Sequence, residues 1–90
     1  MTRKIPQISL EDFETKAKKR IVMESLVKNL AEGVDLNLDE IDIAEIKNHD
    51  VLISIPKKEW KSGLEQAINF YVEKEEYEKC SKIKTLISKL

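Results

Sequence analysis

Apolar residues recur at helical spacing over the first third of the chain. Phe13, Ala17, Ile21, Val27 and Leu30 mark one stripe, and Val22, Met23 and Leu26 widen it. Ser9 caps the start, with Glu11, Asp12 and Glu14 at the positive end of the helix dipole. Gly33 is a natural stop. The pattern predicts a long helix over residues 10–32. Residues 1–8 read as an arm, because Pro6 keeps Ile5 extended and nothing periodic precedes Ser9.

The middle reads two ways. Val34, Leu36 and Leu38 alternate with Asp35 and Asn37, and Ile41 and Ile43 continue the alternation. A two-residue hairpin at Asp39-Glu40 would want Asn-Gly or Asp-Gly, since both residues would need positive φ. A short helix over 39–47, capped by Asp39, is the preferred expectation. Asn48-His49-Asp50 then turns the chain. Residues 51–55 form a β-branched run that Pro56 ends. That run can pair with 34–38 or lie extended in the core.

The last third is periodic again. Trp60, Leu64, Ala67, Ile68, Tyr71 and Val72 share one helix face. Gly63 weakens that helix by roughly 1 kcal/mol relative to Ala. A second stripe runs through Tyr77, Cys80, Ile83, Leu86, Ile87 and Leu90. One unbroken helix would put an apolar residue at 75 or 76, and both are Glu. The pattern therefore predicts a helical hairpin that breaks near 74–76. The expected fold is mainly α: a long N-terminal helix, an irregular middle with room for one short strand pair, and a C-terminal antiparallel helical hairpin. Residues 9–90 form one small domain.

Composition narrows the class. Ninety residues build one core, and 37% charged with 41% hydrophobic residues suits a folded, soluble chain. One Cys and one His exclude an internal disulfide and a zinc module. The N-terminus has a basic start but no apolar stretch of a signal peptide, so a cytoplasmic, reduced setting is expected. Charge is uneven along the chain. Residues 1–30 hold seven basic and four acidic side chains, net +3; residues 31–55 hold one and seven, net −6; residues 56–90 hold eight and six, net +2. Such a pattern favours a protein partner, or a second copy, over a phosphate backbone.

The residues from Leu64 to Leu90 resemble the UVR motif. That motif is a helical-hairpin interaction element of the B and C subunits of bacterial excinuclease and of some stress-response adaptors. Tyr77-Glu78-Lys79-Cys80-Ser81 stands where the motif has Phe/Tyr-Glu-x-Ala-Ala. Lys82-Ile83-Lys84 takes the place of its Arg-Leu-Arg step, and Ile87-Ser88-Lys89-Leu90 closes it in register. Thr85 departs from the usual Asp, and Cys80 and Ser81 depart from Ala. The resemblance covers 27 residues without a gap. It implies a hairpin that packs on another hairpin, in a homodimer or on a partner. Tyr77, Cys80, Ile83 and Ile87 would then do the packing, and Glu78, Lys82 and Lys84 would form the charged rim. It implies nothing about repair chemistry or about residues 1–63.

Each chemical candidate has a plainer alternative. Cys80 lies between Lys79 and Lys82, which would lower an exposed thiol's pKa, but the stripe points it inward. His49 sits in a polar turn without a nucleophile nearby. Trp60, among Lys57, Lys58 and Lys61, is either a binding hot spot or the first core residue of its helix. Lys16, Lys18, Lys19 and Arg20 could meet a nucleic-acid backbone, although stacking aromatics are scarce. The acidic middle could also dock on a basic partner, as an inhibitor would. No motif for catalysis, metal or cofactor accompanies these residues. The expectation is a non-catalytic adaptor or regulatory protein; the alternatives are a nucleic-acid-associated accessory protein and an acidic-surface inhibitor.

Overall fold

The computed structural model describes residues 5–9, 16–47, 49 and 51–90. Its elements are β1 (Gln7–Ile8), α1 (Lys16–Asp35), β2 (Glu40–Ile46), β3 (Val51–Pro56), a 3₁₀ turn (Lys57–Glu59), α2 (Trp60–Glu73) and α3 (Tyr77–Ser88). The three helices form one layer and a three-stranded sheet forms the other.

The first helix buries only part of its expected stripe, and Ile21 is 40% exposed. Val22, Leu26 and Leu30 are buried at steps of four, with Met23 and Val27 packed beside them. Its expected start at 10–15 lies outside the described residues. Its end differs from expectation. Gly33 does not stop it; the helix runs on to Asp35, and Asn37 makes the reversal at φ 53°. The Leu38 N–H donates to Gly33 O at 2.9 Å and the Asn37 N–H to Val34 O at 3.2 Å. These two bonds define a Schellman closure, with Asn in the left-handed position.

The middle is a sheet, not a helix. Residues 39–47 contain β2, which lies between β1 and β3. It pairs antiparallel with β3 from Glu40↔Pro56 to Ile46↔Val51, with a bulge between Asp42 and Ala44. The helix expectation rests on Asp39-Glu40 being a poor hairpin turn, and no hairpin forms there: β2 pairs with β1 and β3 instead. The bulge shifts its core-facing positions from 41 to 44 and 46. The expected pairing of 51–55 with 34–38 does not form, because 33–38 is used in closing α1. The expected arm is anchored at its end: Gln7↔Glu45 and Ile8↔Ile46 pair in parallel, and Ile8 is buried.

The C-terminal hairpin forms as expected. Lys74–Glu76 separate α2 from α3. A second Schellman closure ends α2: Glu76 N–H donates to Tyr71 O at 2.9 Å and Glu75 N–H to Val72 O at 3.0 Å. Glu75 takes the left-handed position, at φ 59°. Trp60, Leu64, Tyr71, Leu30 and Ile83 are the largest fully buried side chains, so the core centres on α1, α2 and α3, and Ile41, Ile43 and Ala44 of β2 join it.

Candidate interaction surfaces

The hairpin divides its expected packing set between core and surface. Tyr77 stands 62% exposed at the first turn of α3, and Glu78, Lys82 and Lys84 are exposed as expected of a rim. Cys80 and Ile83 are buried, Ile83 completely, and Ile87 packs half-buried against the core. An interface role for Cys80 and Ile83 is therefore corrected to a core role. The stripe has α1 and α2 to pack against, so no partner is needed to bury it. The Cys80 thiol lies 3.7 Å from Ile68 O and faces no solvent. Trp60 is likewise core; its indole N–H donates to Ile55 O at 2.8 Å. His49 is exposed in the β2–β3 turn.

The basic cluster on α1 is partly engaged within the chain. Arg20 grips the Glu76 carboxylate with both terminal nitrogens, Nη1 to Oε1 at 3.0 Å and Nη2 to Oε2. Lys79 Nζ reaches the same carboxylate at 2.9 Å, and Glu24 lies 4.0 Å from Arg20. The Arg20 and Lys79 hydrogen bonds hold the Glu76 pKa down at about 2, and the same Glu76 contact raises Arg20. Beneath the pair, the Phe70 ring has Lys19 Nζ, Arg20 Cζ and Lys74 Nζ within 5.7–5.8 Å of its centre. Phe70 meets Tyr71 edge-on at 5.1 Å. Burial, then Glu24, pushes the Tyr71 phenol up to about 12. The arrangement clamps α1 to the hairpin elbow. Lys19 is exposed, Lys18 is half-buried, and Lys16 opens the described helix.

The clamp predicts a pH dependence. Glu76 is depressed from 4.5 to about 2, so its contribution is complete above about 4.5 and is lost as pH falls toward 2. Urea midpoints should drop across that window in the wild type. They should drop less in Glu76→Gln, which has no carboxylate to protonate. Equal slopes for the two proteins would remove the clamp as a source of stability.

A surface not expected from the sequence lies along β3, which among the described residues is unpaired on its outer side. Val51 and Leu52 on β3 are 45% and 50% exposed. Separately, a cleft of about 540 Å³ opens between α1 and α2, with Met23, Leu26, Ile43 and Ile55 on its walls and Lys19, Glu59, Ser62 and Gln66 around them. The signal was present as an uncharged β-branched run. Among the described residues, no group of His, Cys, Asp or Glu could hold a metal ion, and no helix is long and apolar enough to cross a membrane. No protein-family model matches the sequence, and no curated protein or solved structure matches the chain.

Proposed function

We propose that this chain is a non-catalytic adaptor or regulatory protein, acting in the cytoplasm, that binds a protein partner through the outward face of its C-terminal hairpin. The observation that carries the reading is Tyr77. It is a large aromatic side chain left 62% exposed on a helix whose neighbouring apolar residues are buried. Helical spacing sets Ser81, Lys84 and Ser88 on the same face, with Glu78 and Lys82 beside them. An aromatic anchor inside a polar rim is the usual composition of a binding hot spot. The same tyrosine is the aromatic of the UVR-like core, so sequence resemblance and exposure agree on one residue. A protein partner is favoured over nucleic acid because Glu76 already neutralises Arg20, the strongest phosphate ligand of the α1 cluster.

The test is capture from native lysate with immobilised wild type and Tyr77→Ala, each with and without nuclease. Tyr77→Ala should fold with a urea midpoint near that of the wild type, since exposed sites change stability by only about 0.5 kcal/mol. It should lose a stoichiometric, nuclease-resistant partner, with affinity at least about tenfold weaker. Undiminished capture by Tyr77→Ala would sink the hairpin assignment. A retained set that vanishes with nuclease would move the function to α1.

A further inference from the structure

Among the described residues, the third strand lies at the edge of the sheet, paired on one side only. Its six residues, Val-Leu-Ile-Ser-Ile-Pro, carry no charge in a chain that is 37% charged. Natural edge strands are usually protected by lysines, by prolines within the strand or by bulges. Here the bulge is on β2, the central strand, and the proline comes last.

The direction of the free backbone groups follows from the ladder. Lys57 N–H donates across to Asp39 O at 2.8 Å. Residues alternate along an antiparallel strand, so Ile55, Ile53 and Val51 also turn their N–H and C=O groups toward β2. At the other end, Glu45 and Lys47 turn their N–H groups to β1 at 3.0 and 2.8 Å. That leaves Ile46 to bond Val51, its register partner, in agreement. Leu52 and Ser54 therefore point two N–H and two C=O groups away from the sheet.

We infer that a second copy of this chain occupies this edge, with the two β3 strands antiparallel about a twofold axis through Ile53. Backbone bonds must join outward-turned residues, which leaves three registers. Centring on Ser54 sets Leu52 against Pro56, which has no N–H. Centring on Leu52 sets Ser54 against residue 50, beyond the strand. Centring on Ile53 joins Leu52 to the other Ser54 twice over, giving four hydrogen bonds that use every outward group. The same register sets Val51 against Ile55 and Ile53 against its own copy, in the close, non-hydrogen-bonded pairs where β-branched side chains pack best. The core-facing row then runs Ile41, Ile55, Val51, Ile46 and Ile8 across both copies without a polar residue. Ile55 also lines the cleft between α1 and α2.

A twofold pairing is closed, because each copy uses the same strand, β3, against its own copy. The interface is separate from Tyr77 and does not depend on the hairpin reading.

Sedimentation equilibrium of the full chain tests the inference. The mass should rise with concentration to twice 10.4 kDa and stop. Leu52→Lys, which brings two like charges together near the axis, should return it to one chain with unchanged circular dichroism. Leu52→Pro should do the same, because it removes an outward N–H and keeps the Ser54–Asp42 hydrogen bond to β2. Tyr77→Ala should leave the dimer intact. A mass of one chain at every concentration, or a dimer insensitive to both β3 substitutions, overturns the proposal. Growth beyond two chains overturns its closed symmetry. In a Cys80→Ala background, Ile53→Cys should cross-link on oxidation faster than Ser54→Cys; the reverse order overturns the register.

Discussion

Trp60→Ala is expected to destabilise the protein by about 3–5 kcal/mol, the range for truncating a large buried aromatic. Trp60 is fully buried and opens α2 immediately after the 3₁₀ turn. Its indole N–H fastens it to Ile55 O on β3, and its ring lies against Gly33 of α1. One side chain thus joins the first helix, the sheet and the hairpin. Small domains have about 5–15 kcal/mol of stability in all, so the variant should be marginal or unfolded at 37 °C. Trp60→Phe keeps most of the ring and loses the hydrogen bond, and should cost about 1–2 kcal/mol more than a surface change. Urea unfolding followed by far-ultraviolet circular dichroism ranks the two. A Trp60→Ala midpoint close to wild type would mean the side chain is not at the centre of the core.

Regular periodicity made most of the helices legible. In α2, residues 60, 64, 67 and 71 are all buried, as their spacing requires. The two glutamates at 75 and 76 marked the hairpin break because no apolar residue continued the stripe. The strand at 51–56 was legible from β-branching and its closing proline. Its partner was not. A bulge at Ile43 gave β2 a buried set at 41, 43, 44 and 46, and local spacing cannot distinguish that set from a helix turn. Pairing across the sheet decides it, and pairing is not a local property. The acids of that segment then read differently. Glu45 accepts a bond from Gln7, and Asp42 accepts one from Ser54 Oγ at 2.6 Å. They belong to the outer face of a sheet rather than to a solvated helix.

The candidate surfaces were legible only in part, and for a related reason. A stripe of apolar residues shows that something will cover it, not what. Cys80 and Ile83 are covered by the chain's own helices, whereas Tyr77, one turn earlier, is left outside. The basic run at 16–20 showed charge but not its partner. Glu76 lies 56 residues away from Arg20 and meets it only after the hairpin folds back on α1. The edge of β3 could not be identified while its own partner strand was read as a helix.

The two glycines supply the sharpest remaining test, because the same substitution should act with opposite sign. Both lie inside helices, and neither has positive φ. In an open helix position, Gly→Ala gains about 0.5–1 kcal/mol. At Gly63 a Cβ would meet Leu26 Cδ1 at 3.5 Å and Ile55 Cδ1 at 3.8 Å, which is ordinary contact. Gly63→Ala should therefore stabilise the protein by about that amount and partly fill the cleft. At Gly33 the Cβ would lie 2.6 Å from Ile41 Cγ2 and 3.1 Å from the Trp60 ring. Both neighbours are buried and neither can swing away, so α1 must move off the sheet. Overpacking of this kind costs about 1–3 kcal/mol, which outweighs the helix gain. Gly33→Ala should lower the melting temperature by several degrees, at about 4–8 °C per kcal/mol for a domain of this size, and Gly63→Ala should raise it. Shifts of the same sign would mean that close approach to β2 and Trp60, rather than a turn, is not what Gly33 supplies.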